Sequence, residues 1–397
     1  MSQQDQADQK SEEQKIAEEH QTWKQLVPDL YDLMVEKATT WPSLTCQWLP
    51  NVKTTDEYTF RELLIGTNTN DEEPNHVIVL QFDLPHKEYQ DQGVKPRWNV
   101  VQRIGHEGEV HRARYQPSNP DIIATKTRES DVLVFDRKQS TEEGCTPILR
   151  LKGHTKEGYG LEWSPHAATC NHLLSAGYDH TICHWDIKSG DKAVEPYRRY
   201  EGHTGCVEDI SWHATNDALF ASVADDMKLL LWDTRSPSKP VQSIQAHRDE
   251  VNSVAFNWQQ DWMIATGSSD KTVGLFDIRK IDTKLYSFEL HEDQVHQVSW
   301  NPSDPAILAS SSLDRRINVW DLRHIGEEQT PEDMEDGPPE LLFIHSGHTS
   351  RISEFSWDPL EPWLVASAAE DNIIQVWAMT KNIHSGPADE PAANDLE

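Results

Sequence analysis

The chain has 397 residues, of which 36% are hydrophobic, with 36 Lys and Arg residues against 67 Asp and Glu residues. A formal net charge of −31 repels phosphate backbones, so direct nucleic-acid binding is not expected and basic partners are favoured. Because the chain starts with polar residues, we expect no secretory signal. The sequence has no run of 18 apolar residues, so we expect no membrane span. It has five Cys and no CxxC pair, so we expect no disulfide framework.

Residues 1–40 are predicted to begin disordered and to continue as an N-terminal helix from about Ser11 to the Trp41-Pro42 pair. An apolar stripe follows a rough helical period through Ile16, Trp23, Leu26, Leu30, Leu33 and Met34. Pro28 inside this pattern predicts a kink or two consecutive segments. We expect the first three stripe residues to press the helix onto the rest of the protein. Whether part of the stripe stays open for a partner is left undecided by the pattern.

Residues 41–380 contain a repeat that starts with a His in a turn and ends with an aromatic residue followed by Asp, or by Ala in the last repeat. The His and the last residue of this pair are 30 to 32 residues apart. The six His residues are His106, His154, His203, His247, His291 and His348. Between them, apolar and polar residues alternate in short runs separated by turns, which is typical of antiparallel strands. Four strands per repeat indicate one propeller blade.

Four further strands upstream are predicted to form a degenerate first blade, at Leu44–Leu49, Arg61–Thr67, Val77–Leu84 and Trp98–Ile104. The fold class is therefore all-β, a seven-bladed WD40 β-propeller with an N-terminal α-helix. The strand that closes the ring is predicted to come either from residues 28–42 or from beyond residue 380.

The repeated His residues, the third-strand Trp residues and turn residues such as Asp179, Asp270, Asp314 and Asp371 are expected to form hydrogen-bonded relays within blades. This assigns them a structural role. The sequence contains no P-loop, GxGxxG, GxSxG or HExxH motif, so we expect no enzymatic activity, cofactor or metal.

Residues 325–340 form an acidic insertion before the last repeat, with seven Asp and Glu residues and no Lys or Arg. Gly337-Pro338-Pro339 stiffens the insertion, and Leu341-Leu342-Phe343 follows it. Such a pairing of acidic loop and apolar step is suited to a basic amphipathic helix. The tail, residues 381–397, is predicted to be disordered.

Several segments resemble the histone-binding WD-repeat proteins of the retinoblastoma-binding type, the chromatin assembly factor small-subunit family. They are WPSLTCQWLP, KEGYGLEW, VEDISWH, SVADD, IGEEQTPEDMEDGPPELLFIHSGH and EDNIIQVW. The resemblance covers roughly residues 20–380. It implies a non-enzymatic histone chaperone subunit shared by chromatin assembly, deacetylase, remodelling, Polycomb and centromeric histone-loading complexes. It also implies a nuclear location on chromatin, including centromeres, with some protein in the cytoplasm.

The resemblance implies two binding surfaces. The first would hold the first helix of histone H4, through Leu30, Leu33 and Met34 on the N-terminal helix and through Asp333, Asp336, Gly337, Leu341, Leu342, Phe343 and Ile373. Asp29 departs from the Phe usual in the family. The second would bind the N-terminal tail of histone H3, or of its centromeric variant, on the narrow face of the ring.

This second surface is predicted to be an acidic rim three and five residues after each repeat His: Glu109, His111, Glu157, Tyr159, Cys206, Glu208, Glu250, Asn252, Gln294, His296, Arg351 and Ser353. His111, Gln294 and His296 depart from the family pattern. Glu109, Glu157 and Glu208 are expected to converge on one cationic side chain. His111 and His296 are expected to titrate near pH 6.5 and to weaken the binding of a cationic tail when protonated.

An alternative function comes from three WDxR-like segments, Trp232–Arg235, Phe276–Arg279 and Trp320–Arg323. Such segments can dock an adaptor protein, which would make the chain a substrate receptor of a cullin-type ubiquitin ligase. Co-purification of histones or of an adaptor distinguishes the two functions.

Overall fold

The computed structural model describes residues 3–187, 193–236 and 239–385, with the side chains of residues 3–10 and of Ala193 left out. In these residues, seven antiparallel sheets of four strands form the blades of a propeller. The predicted seven-bladed all-β fold is therefore confirmed. No helix of the described part is long and apolar enough to cross a membrane.

Each blade runs from an inner strand at the channel to an outer strand at the circumference. Blade 1 contains Cys46–Thr54, Tyr58–Gly66, Asn75–Pro85 and Arg97–His106. Blade 2 contains Arg112–Gln116, Asn119–Lys126, Val132–Asp136 and Leu149–Leu151, beside which Ala193–Val194 adds a short parallel strand. Blade 3 contains Leu161–Trp163, His172–Ala176, Thr181–Asp186 and Arg198–Glu201.

The remaining blades repeat this order with strands of similar length. Blade 4 contains Val207–Trp212, Leu219–Ala224, Lys228–Asp233 and Gln242–Gln245. Blade 5 contains Val251–Phe256, Met263–Ser268, Val273–Asp277 and Lys284–Phe288. Blade 6 contains Val295–Trp300, Ile307–Ser312, Ile317–Asp321 and Leu341–His345. Blade 7 contains Ile352–Trp357, Leu364–Ala369, Ile373–Met379 and, from the start of the chain, Tyr31–Ala38.

Tyr31–Ala38 is the closing strand. It pairs antiparallel with Ile373–Met379, from Tyr31 opposite Met379 to Ala38 opposite Ile373. Of the two predicted sources, the segment within residues 28–42 supplies it. This pairing closes the ring by joining the two ends of the propeller. It also gives Ile373–Met379 a hydrogen-bonded neighbour on its outer side.

The N-terminal helix extends over Gln3–Leu30, so its predicted bounds were wrong at both ends. It begins earlier than Ser11, and Pro28 lies in its last turn rather than at a break between two segments. Leu33 and Met34 are strand residues, because the edge of blade 7 captures this segment in a sheet. The propeller consequently begins at Tyr31 and not at residue 41.

Short helices complete the described chain. The α-helical ones are Lys87–Gln90 and a C-terminal helix, Lys381–Ser385; single 3-10 turns cover Ala167–Thr169, Ile278–Lys280, Leu322–His324 and Asp333–Glu335. The C-terminal helix replaces the start of the predicted disordered tail. The rest of that tail, residues 386–397, and the first two residues of the predicted disordered start lie outside the described residues.

The predicted relays hold individual blades together. In blade 6, His291 contacts Asp314 at 2.8 Å and the Ser310 hydroxyl at 2.8 Å, and the Trp320 Nε1 donates to the same hydroxyl at 2.9 Å. Burial lowers the pKa of the equivalent His154 to about 4, so that relay holds a neutral imidazole at pH 7. The repeat histidines are thus structural groups with both ring nitrogens occupied.

Candidate functional site

The N-terminal helix is fastened to the ring by Trp23, which is only 5% exposed. Its Nε1 donates to the Tyr31 hydroxyl at 3.0 Å, and that hydroxyl lies 2.8 Å from the His345 Nδ1. Gly347 makes room for the indole, since a Cβ there would lie 2.7 Å from Trp23 Cζ2. One buried chain of contacts therefore joins the helix, the closing strand and blade 6.

Leu26 was expected to anchor the helix together with Trp23, but 46% of it is exposed. Val27 instead packs against the buried cluster that contains Trp23, Tyr31 and Phe343. The helical stripe is thus divided: Trp23 and Val27 face the ring, and Leu26 faces outward.

A groove of about 670 Å³ lies between the N-terminal helix and the outer strand of blade 6. Leu26 and Leu30 line its helix side, and Ile344 lines its strand side. The remaining lining residues are Lys15, Ile16, Glu18, Glu19, His20, Thr22, Trp23, Asp314, Arg315, Arg316, Ser346 and His348. Arg315 bridges the two walls through an ion pair with Glu19 at 3.0 Å.

The acidic insertion enters this same outer strand of blade 6. Six of its seven carboxylates are exposed, namely Glu327, Glu328, Glu332, Asp333, Glu335 and Asp336. The seventh, Glu340, is buried and accepts a hydrogen bond from the Tyr286 hydroxyl at 2.7 Å. The insertion therefore presents exposed negative charge at the start of the strand whose later part lines the groove, but neither its residues nor Leu341, Leu342 or Phe343 line the groove themselves.

Local hydrogen bonds shape the insertion. The Thr330 hydroxyl donates to Asp333 at 2.8 Å, and the Asp333 amide donates back to that hydroxyl at 3.2 Å. Gly337 has a φ of +120°, and a Cβ on it would meet Leu341 Cδ2 at 2.7 Å. A glycine is therefore required where the insertion turns into the strand.

The predicted apolar residues do not all lie on one side. Leu30, Met34 and Leu342 pack against the cluster of Phe343, which is 7% exposed. Leu33 packs against a different cluster, toward blade 1, and Leu341 packs toward blade 5. The reason is that successive strand residues point to opposite faces, whereas the helical pattern would have placed Leu33 and Met34 together.

Ile373 lies away from this group, because it pairs with Ala38 at the far end of the closing strand from Tyr31. Ile383 of the C-terminal helix packs against the Phe343 cluster instead. The sequence analysis missed Ile383; its signal was an isolated apolar residue shortly after the last strand.

The rim on the narrow face carries an aromatic row. The rings of His111 and Tyr159 stack with centroids 4.6 Å apart and planes 8° apart. Tyr178, which the sequence analysis did not single out, continues the row 6.1 Å from Tyr159 and donates from its hydroxyl to Glu208 at 3.3 Å. A flat, partly apolar surface thus lies among the rim carboxylates.

The charges of three predicted rim glutamates act on Tyr159, while their convergence on a cationic side chain stays a prediction. Burial raises the pKa of the Tyr159 hydroxyl, and the charges of Glu157, Glu208 and Glu109 raise it further. At Glu208, burial and then the neighbouring Asp225 raise the pKa to about 8. Glu208 is therefore largely protonated at pH 7 in the free protein.

The rim histidines do not titrate as expected. Burial lowers the pKa of His111 to about 4, and burial followed by the positive charge of Arg112 lowers the pKa of His296. The expectation that both would titrate near pH 6.5 is wrong, since neither side chain stands free in solvent.

Two further rim residues, on blade 5, differ in how freely they face solvent. Glu250 is exposed as a residue, but its carboxyl group is partly desolvated. This desolvation, and then the charge of Asp225, raises its pKa. The Asn252 side-chain amide donates hydrogen bonds to the Ser269 hydroxyl at 3.1 Å and to the Val295 carbonyl at 2.9 Å. The exposed rim residues therefore include the Glu250 carboxylate, the Gln294 amide and the Arg351 guanidinium.

Below the rim, a charged belt ties the inner strands together. Arg112 of blade 2 pairs with Asp209 of blade 4 at 2.9 Å and with Glu354 of blade 7 at 3.6 Å. Arg114 pairs closely with Glu354, which also accepts from the Thr45 hydroxyl at 2.9 Å. This belt fixes the positions from which the rim side chains project.

Comparison with known families agrees with this architecture. The family model of WD domains, the G-beta repeat, matches residues 145–186, 194–233, 238–277, 282–321 and 339–378, about half of the chain. A second model, described as that of histone-binding protein RBBP4 or a component of the CAF1 complex, matches residues 18–86. The chain belongs to the WD-repeat proteins, and among them to the histone-binding RBBP4 type. The second match spans residues 18–30 of the N-terminal helix, the closing strand and three of the four strands of blade 1, and so includes part of one wall of the groove.

Proposed function

We propose that this WD-repeat protein is a non-enzymatic histone chaperone subunit that binds the first helix of histone H4 in the groove. The observation that carries the proposal is an apolar groove along the N-terminal helix, whose other wall belongs to the strand that the insertion enters with its six exposed carboxylates. A basic amphipathic helix would bury its apolar face against Leu26, Leu30 and Ile344 and place its cations against the insertion.

The second part of the proposal is that the rim binds the N-terminal tail of histone H3 or of its centromeric variant. An extended basic tail fits a surface where an aromatic row lies among Glu109, Glu157 and Glu208. The two surfaces use different elements, so one chain can serve larger subunits of chromatin-assembly, deacetylase, remodelling, Polycomb or centromeric loading complexes. Its place of action is then the nucleus, with newly made histones also bound in the cytoplasm.

The test of the groove is a double substitution, Asp333→Ala with Asp336→Ala. We expect binding of an H4 first-helix peptide to weaken, by about 2–5 kcal/mol for each charge pair that is desolvated in the complex. Isothermal titration calorimetry measures the change in Kd. Glu142→Ala with Glu143→Ala, two exposed carboxylates on blade 2, is the control with the same change of charge. Undiminished binding by the insertion variant would place the H4 site elsewhere.

The alternative as a ubiquitin-ligase receptor rests on the WDxR-like segments. In each, the Arg folds back onto the Asp two residues earlier, as Arg279 does on Asp277 at 2.7 Å. These contacts give the residues a role within the blade. The alternative stays a prediction, which co-purification of an adaptor protein would support.

A further inference from the structure

A second cavity, of about 780 Å³, opens at the outer part of blade 5 and is separate from both proposed histone surfaces. Its lining residues are Gln245, Ala246, His247, Arg248, Asp270, Lys271, Thr272, Lys284, Ser287, Glu289 and His291. Three of them are cations in a chain whose net charge is −31. We call this cavity the blade 5 pocket.

Blade 5 has a glycine where the other repeats have a side chain, and this glycine makes room for the Lys284 stem. Gly274 lies in the third strand, and the equivalent residues of blades 2, 3, 4, 6 and 7 are Leu133, Cys183, Leu230, Asn318 and Gln375. A Cβ on Gly274 would lie 2.8 Å from Phe276, 3.1 Å from His247 and 3.1 Å from Lys284 Cε. The missing side chain leaves the space that the lysine stem occupies.

Lys284 is the central cation of the pocket. Its ammonium lies 5.6 Å from the centre of the Phe276 ring, and no residue of the described chain offers it a hydrogen bond or an ion pair. Burial lowers its pKa, the charges of Asp270 and Glu289 oppose this shift, and the positive charge of Arg248 adds to it. The side chain of Lys284 is half-buried while its ammonium remains accessible, so a ligand that enters the pocket can reach it.

The carboxylates of the pocket do not pair with this ammonium. The Asp270 carboxylate contacts the His247 ring at 3.1 Å. It also accepts hydrogen bonds from the Arg248 backbone amide at 3.1 Å and from the Thr272 hydroxyl at 2.7 Å. Lys271 is tethered at the edge, donating to the Glu292 carbonyl at 2.8 Å. Two cations, those of Arg248 and Lys284, thus remain without a hydrogen-bonded carboxylate in the described chain.

We propose that the blade 5 pocket binds the dianion of a phosphate monoester. Its oxygens would accept from Lys284 and Arg248, with Lys271 adding charge at the edge and the Ser287 hydroxyl available inside. Tetrahedral phosphate can accept several such bonds at once, and charge-assisted bonds of this kind are short and strong. The phosphate would be borne by a phosphorylated serine or threonine of a protein or by a small phosphate ester, and the chemistry of recognition is the same.

The experiment titrates the full-length protein with three probes: an end-capped Ala-phosphoserine-Ala peptide, its unphosphorylated form and inorganic phosphate. We expect the phosphorylated peptide and phosphate to bind and the unphosphorylated peptide not to bind. Tighter binding of the phosphopeptide than of phosphate identifies a protein-borne group, and equal binding identifies a free phosphate ester. Binding should weaken with added salt.

Two variants locate the site. Lys284→Gln and Arg248→Gln should each weaken phosphate binding about tenfold, the effect of one charge-assisted hydrogen bond. Arg248 is exposed, so its variant tests the pocket even if replacement of Lys284 disturbs the fold. Lys280→Gln is the matched control, because Lys280 is an exposed cation of blade 5 outside the pocket. The proposal is overturned if neither phosphate probe binds, if acetate binds equally well, or if the control loses as much affinity as Lys284→Gln.

Discussion

The groove and the rim are built from the chain in different ways. The rim uses equivalent positions of successive repeats, such as Glu109, Glu157 and Glu208, whose register follows from the repeat His. The groove lies between the N-terminal helix, which occurs once in the chain, and the outer strand of blade 6, which follows the single acidic insertion. Positions that recur along a sequence can be aligned with one another, whereas single elements must find their place through tertiary contacts.

Removal of the first elements tests this contrast most strongly. Deletion of residues 1–27 should leave a propeller that unfolds cooperatively, because the closing strand begins at Tyr31. It should abolish H4-helix binding, since one wall of the groove is gone, and preserve binding at the rim. Deletion of residues 1–38 should instead cause aggregation or loss of cooperative unfolding, because it exposes the edge of Ile373–Met379.

The measurements are thermal unfolding followed by circular dichroism, size-exclusion chromatography and peptide calorimetry for both truncated chains. A shorter truncation that aggregates would mean that the helix itself is needed for closure. A longer truncation that stays monomeric and melts at the same temperature would show that the closing strand contributes little.

Within the helix, substitutions of Trp23 and of Leu26 should have opposite effects on stability and on H4-helix binding. Trp23→Ala should reduce the free energy of unfolding by about 3–5 kcal/mol, as expected for a buried indole with a hydrogen-bonded partner. Leu26→Ala should change it by less than about 0.5 kcal/mol, since the residue is exposed, but should weaken H4-helix binding. Urea titration and calorimetry separate the two; equal stability losses would contradict the division of the stripe.

The C-terminal helix gives a smaller effect. Ile383→Ala should weaken H4-helix binding by about 1–2 kcal/mol, because a partly buried apolar contact of the Phe343 cluster is lost. Ile373→Ala is the matched control at the other end of the closing strand and should leave Kd unchanged. A loss confined to Ile373→Ala would restore the original assignment.

These differences show which features of the fold and of the site could be predicted from the sequence and which could not. The six repeats, the degenerate first blade and the acidic insertion followed from spacing and alternation alone. The segment Leu33–Val35 did not, since three consecutive apolar residues fit a helix and a strand equally well until a blade edge pairs with them. Ile383 was missed for a different reason: the cluster against which it packs, which contains Phe343, is distant in the chain.

The repeat register predicts which residues form the rim, but it does not predict their ionisation. A repeat position shows which side chains lie near the channel and does not show how deeply each is buried. Burial lowers the pKa of His111, which stacks on Tyr159, and burial followed by Asp225 of the same blade raises the pKa of Glu208. The sign of the pH dependence therefore has to be taken from the folded protein.

The smallest expected effect is this pH dependence. Glu208 has a pKa of about 8, so it gains its charge as the pH rises from 7 to 9, and a cationic tail should then bind more tightly. If only the charged form bound, the affinity would rise about tenfold; Glu109 and Glu157 share the attraction, so we expect less. Burial, and after it Asp225 and Asp209, keep the proton on Glu208 at neutral pH, whereas the hydrogen bond from Tyr178 lowers the Glu208 pKa and opposes them.

Calorimetry with an N-acetylated H3-tail peptide at pH 6, 7, 8 and 9 measures this dependence, since acetylation removes the titrating α-amine. Glu208→Gln should flatten the rise between pH 7 and 9 while leaving binding at pH 6 nearly unchanged, because the wild-type carboxyl is already protonated there. His111 stays neutral throughout, so no step near pH 6.5 is expected from it. A step at pH 6.5 that disappears in His111→Gln would show that the imidazole is less buried than its stacking on Tyr159 requires, and the rim would then bind its partner through a different arrangement.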